Sequence, residues 1–146
     1  MVKPESPYVH KQPRAGNVKL AQVILVIDDS FDTLVLQRTV LELEGFEVFT
    51  AQSGAEAMEV LCEVGKPDLI LLDMQLGDMT GSDFLAMLEE KRPEILECVP
   101  VVFLTGMDEV PKCNAVGFLR KPLDTDKFLE AVHRFIEMGH HSPYKH

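Results

Sequence analysis

Short apolar runs alternate along this chain with longer segments in which apolar residues recur at helical spacing. Runs such as Val23–Ile27 and residues 69–72 are apolar at every position, as expected of strands covered on both faces. The segments between the runs have the periodicity of amphipathic helices. Strands that alternate with helices are typical of a parallel sheet, so we predict an α/β fold.

Five strands and the intervening helices follow from this pattern. The predicted strands are 23–27, 46–51, 69–72, 101–104 and 115–119, the fourth introduced by Pro100. The predicted helices are 31–44 after a cap at Asp29 or Ser30, one opened by the Ser53-Gly-Ala-Glu56 capping box, 82–90, and one capped by Asp124 or Thr125. The first helix is expected to bury one stripe, formed by Phe31, Leu34, Val35 and Leu41.

Composition indicates one domain without a membrane segment. The chain has 146 residues, of which 46% are hydrophobic and 26% charged, values typical of a single core. Its longest apolar runs fall far short of the roughly 20 residues that cross a bilayer. Because the N-terminus also lacks an apolar signal region, we expect a cytoplasmic protein.

Charge and cysteine content narrow the function further. The net charge of −10 argues against direct DNA binding, which depends on Lys and Arg neutralising phosphates. Residues 1–20 carry +3, and we interpret them as a flexible basic arm before a folded domain at 21–139 and a tail at 140–146. The three cysteines, Cys62, Cys98 and Cys113, lack metal-ligand spacing and are expected to be ordinary thiols.

Polar side chains follow four of the predicted strands where each strand ends. Because ligands of open parallel sheets bind beyond the carboxyl ends of the strands, we expect these side chains to share one edge. They are Asp28 and Asp29 after the first strand, Asp73 after the third, Thr105 after the fourth, and Arg120 and Lys121 after the fifth.

Carboxylates at that edge indicate a hard cation. Two carboxylates about 4 Å apart repel by roughly 4 kcal/mol at an effective dielectric constant of 20. Oxygen ligands in a partly hydrated cluster suit Mg²⁺, whose usual second partner is a phosphate. Lys121 and Thr105 would then hold phosphoryl oxygens, although no P-loop motif occurs in the chain.

Each of these residues also has a purely structural interpretation. Asp29 could cap the first helix, Thr105 before Gly106 could be a turn residue, and Lys121 could be a solvated surface charge. Independent structural needs would not place such a residue at the end of each central strand, so the joint arrangement favours a phosphoryl site.

In this order, the residues resemble the CheY-like receiver domain of bacterial two-component response regulators. The resemblance spans about 23–138 and implies a flavodoxin-like, doubly wound sheet of five parallel strands in the order 2-1-3-4-5. It rests on Asp28-Asp29, Asp73, Gly81, Thr105-Gly106 and Lys121-Pro122.

The resemblance implies a role for each acidic residue. Asp73 would accept a phosphoryl group from the phosphohistidine of a histidine kinase or phosphotransfer protein. Mg²⁺ would be held by Asp29, Asp73 and the backbone carbonyl of Gln75, with Asp28 assisting through water. Gly77 stands where the family usually has proline, so a more flexible loop is expected here.

The resemblance also covers the residues that contact the phosphoryl group and respond to it, with one departure. Thr105 and Lys121 would contact the phosphoryl group, and Phe118 matches the aromatic that turns inward on activation. Thr105 and Lys121 are 16 positions apart, which is shorter than usual in the family, and Pro111 lies between them. We therefore expect the fourth helix, at 107–114, to be missing or vestigial. The apolar surface so exposed around Phe118 and Val116 would bind a partner or a second copy of the chain.

Three functions remain open from the sequence. The leading one is a stand-alone response regulator that signals through phosphorylation-dependent binding of an unknown downstream protein, since only eight residues follow Met138. The alternative is a pseudo-receiver that docks constitutively. The third, an Mg²⁺-dependent phosphohydrolase using Asp73 as nucleophile, is disfavoured because Gln75 stands where such an enzyme needs an acid. We therefore expect a signalling phosphoacceptor and not an enzyme.

Overall fold

The computed structural model describes residues 21–105, 117–120 and 124–140 of the chain. Strands and helices alternate through these residues, as the sequence pattern predicts. The elements are β1 (Val23–Ile27), α1 (Phe31–Leu43), β2 (Glu47–Ala51), α2 (Gly54–Val64), β3 (Leu69–Asp73), α3 (Gly81–Lys91), α4 (Pro93–Cys98), β4 (Val101–Thr105), β5 (Gly117–Arg120) and α5 (Thr125–His140).

The five strands form one parallel sheet in the order β2-β1-β3-β4-β5. This order confirms the predicted doubly wound α/β fold. The chain first moves outward from β1 to β2 and then crosses back to β3 on the other side of β1. The carboxyl ends of β1 and β3 are therefore neighbours at the point where the strand order reverses.

Side chains of the central strands alternate between two separate cores. In β1, Leu25 and Ile27 lie in the core shared with α2, α3 and α4, whereas Ile24 and Val26 lie in the core shared with α1 and α5. Successive side chains of a strand point to opposite faces, so a strand covered on both faces must be apolar throughout. This explains the unbroken apolar runs of the sequence.

Local hydrogen bonds decide where α1 and α2 begin. The Ser30 hydroxyl accepts the Thr33 N–H at 3.3 Å, so Ser30 caps α1. Ser53 caps α2 by accepting the Glu56 N–H at 3.0 Å, but the Glu56 carboxylate accepts the N–H of Gln52 at 2.7 Å. The predicted capping box therefore holds in its first half, while its second half is displaced by one residue.

The stripe predicted for α1 is wrong in part. Leu34 and Leu41 are buried, whereas Phe31 is 64% and Val35 46% exposed. Residues advance by about 100° each around a helix, which puts Phe31 and Val35 to one side of the line that joins Leu34 to Leu41. Only that line meets the sheet, so α1 presents an apolar flank to solvent.

One helix was missed from the sequence. The six-residue α4 follows α3 after one intervening residue and begins with Pro93, a residue tolerated at the first position of a helix. Ile95 is its buried residue and lies in the core with α3. Too short to show a periodic stripe, α4 owes its stability to this packing.

Two expectations concern residues outside the described ranges. The fourth helix of the family would fall at 107–114, and its predicted loss stays a prediction. Val116 also lies outside these ranges, while Phe118 is half-buried and packs against the core.

Within the described part of the chain, no helix is both long and apolar enough to cross a membrane.

Candidate functional site

Three carboxylates meet at the carboxyl ends of β1 and β3. Asp28 and Asp29 follow β1, and Asp73 is the last residue of β3. Each offers a carboxylate oxygen, and these oxygens all lie within 4.8 Å of one another. Among the described residues, this is the one group of three or more His, Cys, Asp or Glu side chains with metal-binding geometry. The predicted acidic cluster therefore forms.

The three aspartates differ in burial and in what holds them. Asp28 is 1% exposed, and its Oδ1 accepts the Ser30 N–H at 2.9 Å, which ties the β1–α1 turn together. Asp73 is half-buried, and its Oδ1 accepts the Met74 N–H at 2.9 Å. Asp29 is exposed. Because Ser30 caps α1, Asp29 does not perform the structural role that the sequence left open for it.

The geometry of the cluster fits Mg²⁺. Oxygen ligands of octahedral Mg²⁺ lie about 2.1 Å from the ion, so adjacent ligands are about 3.0 Å and opposite ligands about 4.2 Å apart. Carboxylate oxygens within 4.8 Å of one another can draw together around the ion or reach it through one of the waters that Mg²⁺ usually keeps. The donors are all oxygens, as this ion prefers. Asp28, Asp29 and Asp73 could therefore hold Mg²⁺ directly or through water.

The loop that leaves Asp73 is a narrow hairpin. Gln75 pairs with Thr80 in an antiparallel bridge, the Leu76 N–H donates to Met79 O at 2.9 Å, and the Gly81 N–H donates to Met74 O at 2.7 Å. The backbone of Gln75 is therefore held two residues beyond the end of β3. The hairpin contains Gly77, where an added Cβ atom would meet no heavy atom within 4 Å.

The remaining candidate residues come from β4, β5 and the segment after β5. Thr105 ends β4 one residue beyond Leu104, the register partner of Asp73, and it pairs with Arg120 at the end of β5. Lys121 lies outside the described residues. The backbone register therefore brings Thr105 to the same edge of the sheet as Asp73.

Phe118 lies against the core below this edge. Its ring stacks on Phe103, with ring centroids 5.5 Å apart and an interplanar angle of 20°. Phe103 is fully buried, and an atom placed as Cβ on Gly81 would be 2.6 Å from its ring and 2.5 Å from the Asp73 carbonyl oxygen. Gly81, Phe103 and Phe118 thus form a packed row that begins beside Asp73.

Two polar contacts near the site were missed from the sequence. Asp78 reaches across to α2, where it accepts the backbone N–H groups of Gly54 and Ala55. Thr80 and Asp83 form a complete capping box at the start of α3. The Thr-x-x-Asp spacing signals the second contact, whereas no local pattern indicates the first, which spans 24 residues.

The fold and the acidic site together define a receiver-type signalling domain. The family model for the response regulator receiver domain matches residues 24–133. The chain therefore belongs to the response regulator receiver domain family. Members of this family accept a phosphoryl group on an aspartate, bind Mg²⁺ in an acidic pocket and interact with histidine kinases or phosphotransfer proteins.

Named relatives and solved structures agree with this assignment. Sporulation initiation phosphotransferase F of Bacillus subtilis (strain 168) is 30% identical over 122 residues, which cover 79% of this chain and 94% of that protein. The polar-differentiation response regulator DivK of Brucella ovis is 24% identical, covering 80% and 98%. A CheY-like receiver domain protein of Methanospirillum hungatei JF-1 has a TM-score of 0.71 at 25% identity, covering 84% and 98%.

Proposed function

We propose that this protein is a response regulator whose Asp73 accepts a phosphoryl group from a histidine kinase or phosphotransfer protein. The observation that carries the proposal is the convergence of three carboxylates within 4.8 Å at the switch point of the sheet. Phosphorylation would change which protein the domain binds. The cytoplasmic location stays a prediction.

Burial selects Asp73 among the three aspartates. Asp28 is 1% exposed and its carboxylate holds the turn before α1, so a phosphorus atom could not approach it in line. Asp29 lies on the outer side, where solvent competes for it. Asp73 is half-buried, and the Met74 N–H fixes its orientation. An oriented, partly desolvated carboxylate is the better nucleophile.

The transfer step exchanges one bond to phosphorus for another. An oxygen of the Asp73 carboxylate attacks the phosphorus of the donor's phosphohistidine as the P–N bond breaks. The electron pair of that bond stays on the imidazole nitrogen, which takes up a proton, and an acyl phosphate remains on Asp73. Such transfers depend mainly on positioning and on the neutralisation of charge.

The surrounding residues would hold the cation that supplies that neutralisation. Asp29, Asp73 and the backbone carbonyl of Gln75 would ligate Mg²⁺, and Asp28 would act through water. When bound, this ion offsets the charge of the carboxylates and of the phosphoryl oxygens. We also assign contacts with the phosphoryl group to Thr105, at the end of β4, and to Lys121.

Phe118 is the proposed switch residue. Its half-buried ring stacks on Phe103, so a change of its rotamer must break a contact between two packed aromatic rings. Movement of Thr105 toward a phosphoryl group would change the space next to β5. The row from Gly81 through Phe103 to Phe118 supports a response at β5 to events at Asp73.

An exposed apolar flank beside the acidic cluster supports a protein as the phosphodonor. Phe31 and Val35 lie on the first turns of α1, which starts two residues after Asp29, and both are exposed. Exposed apolar side chains mark a protein-binding surface when they are contiguous, and Phe31 and Val35 are neighbours at i and i+4 on the helix surface. We assign this flank to the kinase or phosphotransfer protein.

Intact mass spectrometry after incubation with acetyl phosphate and Mg²⁺ tests the proposal. We expect wild-type protein to gain the mass of one phosphoryl group and Asp73→Asn to gain none. Asp126→Asn, which changes an exposed carboxylate in the first turn of α5, is the matched control and should be labelled like wild type. Acid-labile phosphate on Asp73→Asn would contradict the assignment. An unlabelled wild type would favour a constitutive docking module.

A further inference from the structure

Asp78 connects the hairpin after Asp73 to a different part of the molecule. Its Oδ1 accepts the Gly54 N–H at 2.9 Å and its Oδ2 accepts the Ala55 N–H at 3.1 Å. Both donors belong to the first turn of α2, whose exposed N–H groups and helix dipole favour a negative charge. The hydrogen bond from the Gly54 N–H is the main reason that the pKa of the Asp78 carboxyl lies below its ordinary value.

A second contact reinforces this junction. The Met79 side chain packs over Gly54 so closely that an atom placed as Cβ there would be 2.5 Å from the sulfur. The glycine therefore lets the hairpin approach the start of α2. Asp78 and Met79 together fix the tip of the hairpin on α2.

The start of α2 already has a local cap that does not involve the hairpin. Ser53 accepts the Glu56 N–H through its hydroxyl and the Ala57 N–H through its carbonyl, both within the same stretch of chain. The contacts of Asp78 are added from 24 residues away. The Asp78 contact therefore adds a link between the hairpin and α2 that the local cap does not provide.

We propose that Asp78 is a positioning residue for the phosphoacceptor site, acting through the Gln75 backbone. The proposal rests on the proposed function, in which the Gln75 carbonyl is a ligand of Mg²⁺. The buried side chains of Met74 and Leu76 anchor the base of the hairpin in the core, whereas its tip is exposed. Asp78 adds a second fixed point at that tip, next to Gly77, and so restrains the carbonyl of Gln75 relative to Asp73.

The test compares Asp78→Ala and Asp78→Asn with Ser53→Ala in the full-length protein. Ser53→Ala removes a cap of the same helix without touching the hairpin, so it is the matched control. The measurements are the Kd for Mg²⁺ by isothermal titration calorimetry, the rate of labelling by acetyl phosphate at limiting and saturating Mg²⁺, and amide exchange at Leu76 and Gly81.

We expect Asp78→Ala to raise the Kd for Mg²⁺ about tenfold, since residues that orient metal ligands contribute 10–100-fold to affinity. Asp78→Asn, which keeps one acceptor oxygen, should fall between Asp78→Ala and wild type. Labelling should slow at limiting Mg²⁺ and recover at saturating Mg²⁺. Exchange at Leu76 should accelerate in Asp78→Ala and not in Ser53→Ala. The rise in Kd should persist in high salt. High salt screens long-range electrostatics, so a rise caused only by the lost charge of Asp78 would disappear there.

Three results would overturn the positioning role. These are an unchanged Kd in Asp78→Ala, an equal rise in Kd in Ser53→Ala, and unchanged exchange at Leu76 in Asp78→Ala. A wild type that binds Mg²⁺ but is not labelled would instead contradict the proposed phosphoacceptor function. In that case the Kd and the exchange rates still decide the role of Asp78.

Discussion

Asp28 and Asp29 are adjacent in the chain but lie in different environments. Asp28 is buried and holds the turn after β1, whereas Asp29 is exposed beside Asp73. The separation follows from the end of β1, where one side chain points into the fold and the next points out. The two carboxylates therefore share a charge cluster, but of the two it is Asp28 that supports the turn.

Asp29→Ala should weaken Mg²⁺ binding without loss of stability in the metal-free protein. Removal of one carboxylate takes away a ligand and also relieves repulsion among the three acidic groups. Ser30→Ala is the neighbouring control, and loss of its cap on α1 should cost about 1 kcal/mol while Mg²⁺ affinity is kept. Urea unfolding without metal and calorimetric titration with Mg²⁺ measure the two effects.

The opposite pattern would change the assignment of these residues. A clear loss of metal-free stability in Asp29→Ala would show that Asp29 supports the β1–α1 turn. Unaltered Mg²⁺ affinity in the same variant would remove Asp29 from the ligand set.

Close packing between elements fixes α3 against the end of β3. Gly81, the first residue of α3, has no room for a side chain between the Asp73 carbonyl and the ring of Phe103. The same ring stacks on Phe118 of β5. The start of α3, the end of β3 and the middle of β5 are therefore packed as one unit.

Gly81→Ala should destabilise the protein by about 1–3 kcal/mol, the usual cost of overpacking a tight site. Gly77→Ala provides the comparison four residues earlier, because its side-chain position is open and its backbone is not in the left-handed region. That substitution should be neutral or should stabilise the fold by about 0.4–1 kcal/mol, because alanine lowers the conformational entropy of the unfolded chain. Chemical denaturation of both variants checks the contrast, and equal effects would contradict it.

At the scale of the whole molecule, the acidic cluster exists only in the folded chain. Asp29 and Asp73 are 44 residues apart in sequence and meet because β1 pairs with β3. A ligand that binds the folded state alone stabilises it by mass action. Mg²⁺ bound at this cluster would therefore be coupled to folding.

Mg²⁺ at about 100 times its Kd should raise the free energy of unfolding by about 2.7 kcal/mol. The increase should shrink in Asp29→Ala at the same Mg²⁺ concentration and persist in Asp126→Asn. Unfolding midpoints measured with and without Mg²⁺ test this expectation. Equal stabilisation of Asp29→Ala and wild type would place the ion elsewhere.

The local pattern of the sequence was enough to predict the five strands, the start of α1 and the acidic cluster. The run Val23–Ile27 is short and rich in β-branched residues, which is typical of a strand covered on both faces. The aspartates could be placed together because parallel strands bring their carboxyl ends to one edge. The strand order came from the resemblance to receiver domains.

Contacts between distant segments were decided only by the tertiary structure. The sequence indicated neither the reach of Asp78 to α2 nor the stack of Phe103 on Phe118, because both depend on distances across the sheet. The exposed flank of α1 depends on the angle at which that helix meets the sheet, and α4 depends on the packing of Ile95. Periodicity specifies which residues share a face, whereas packing decides which part of that face is covered.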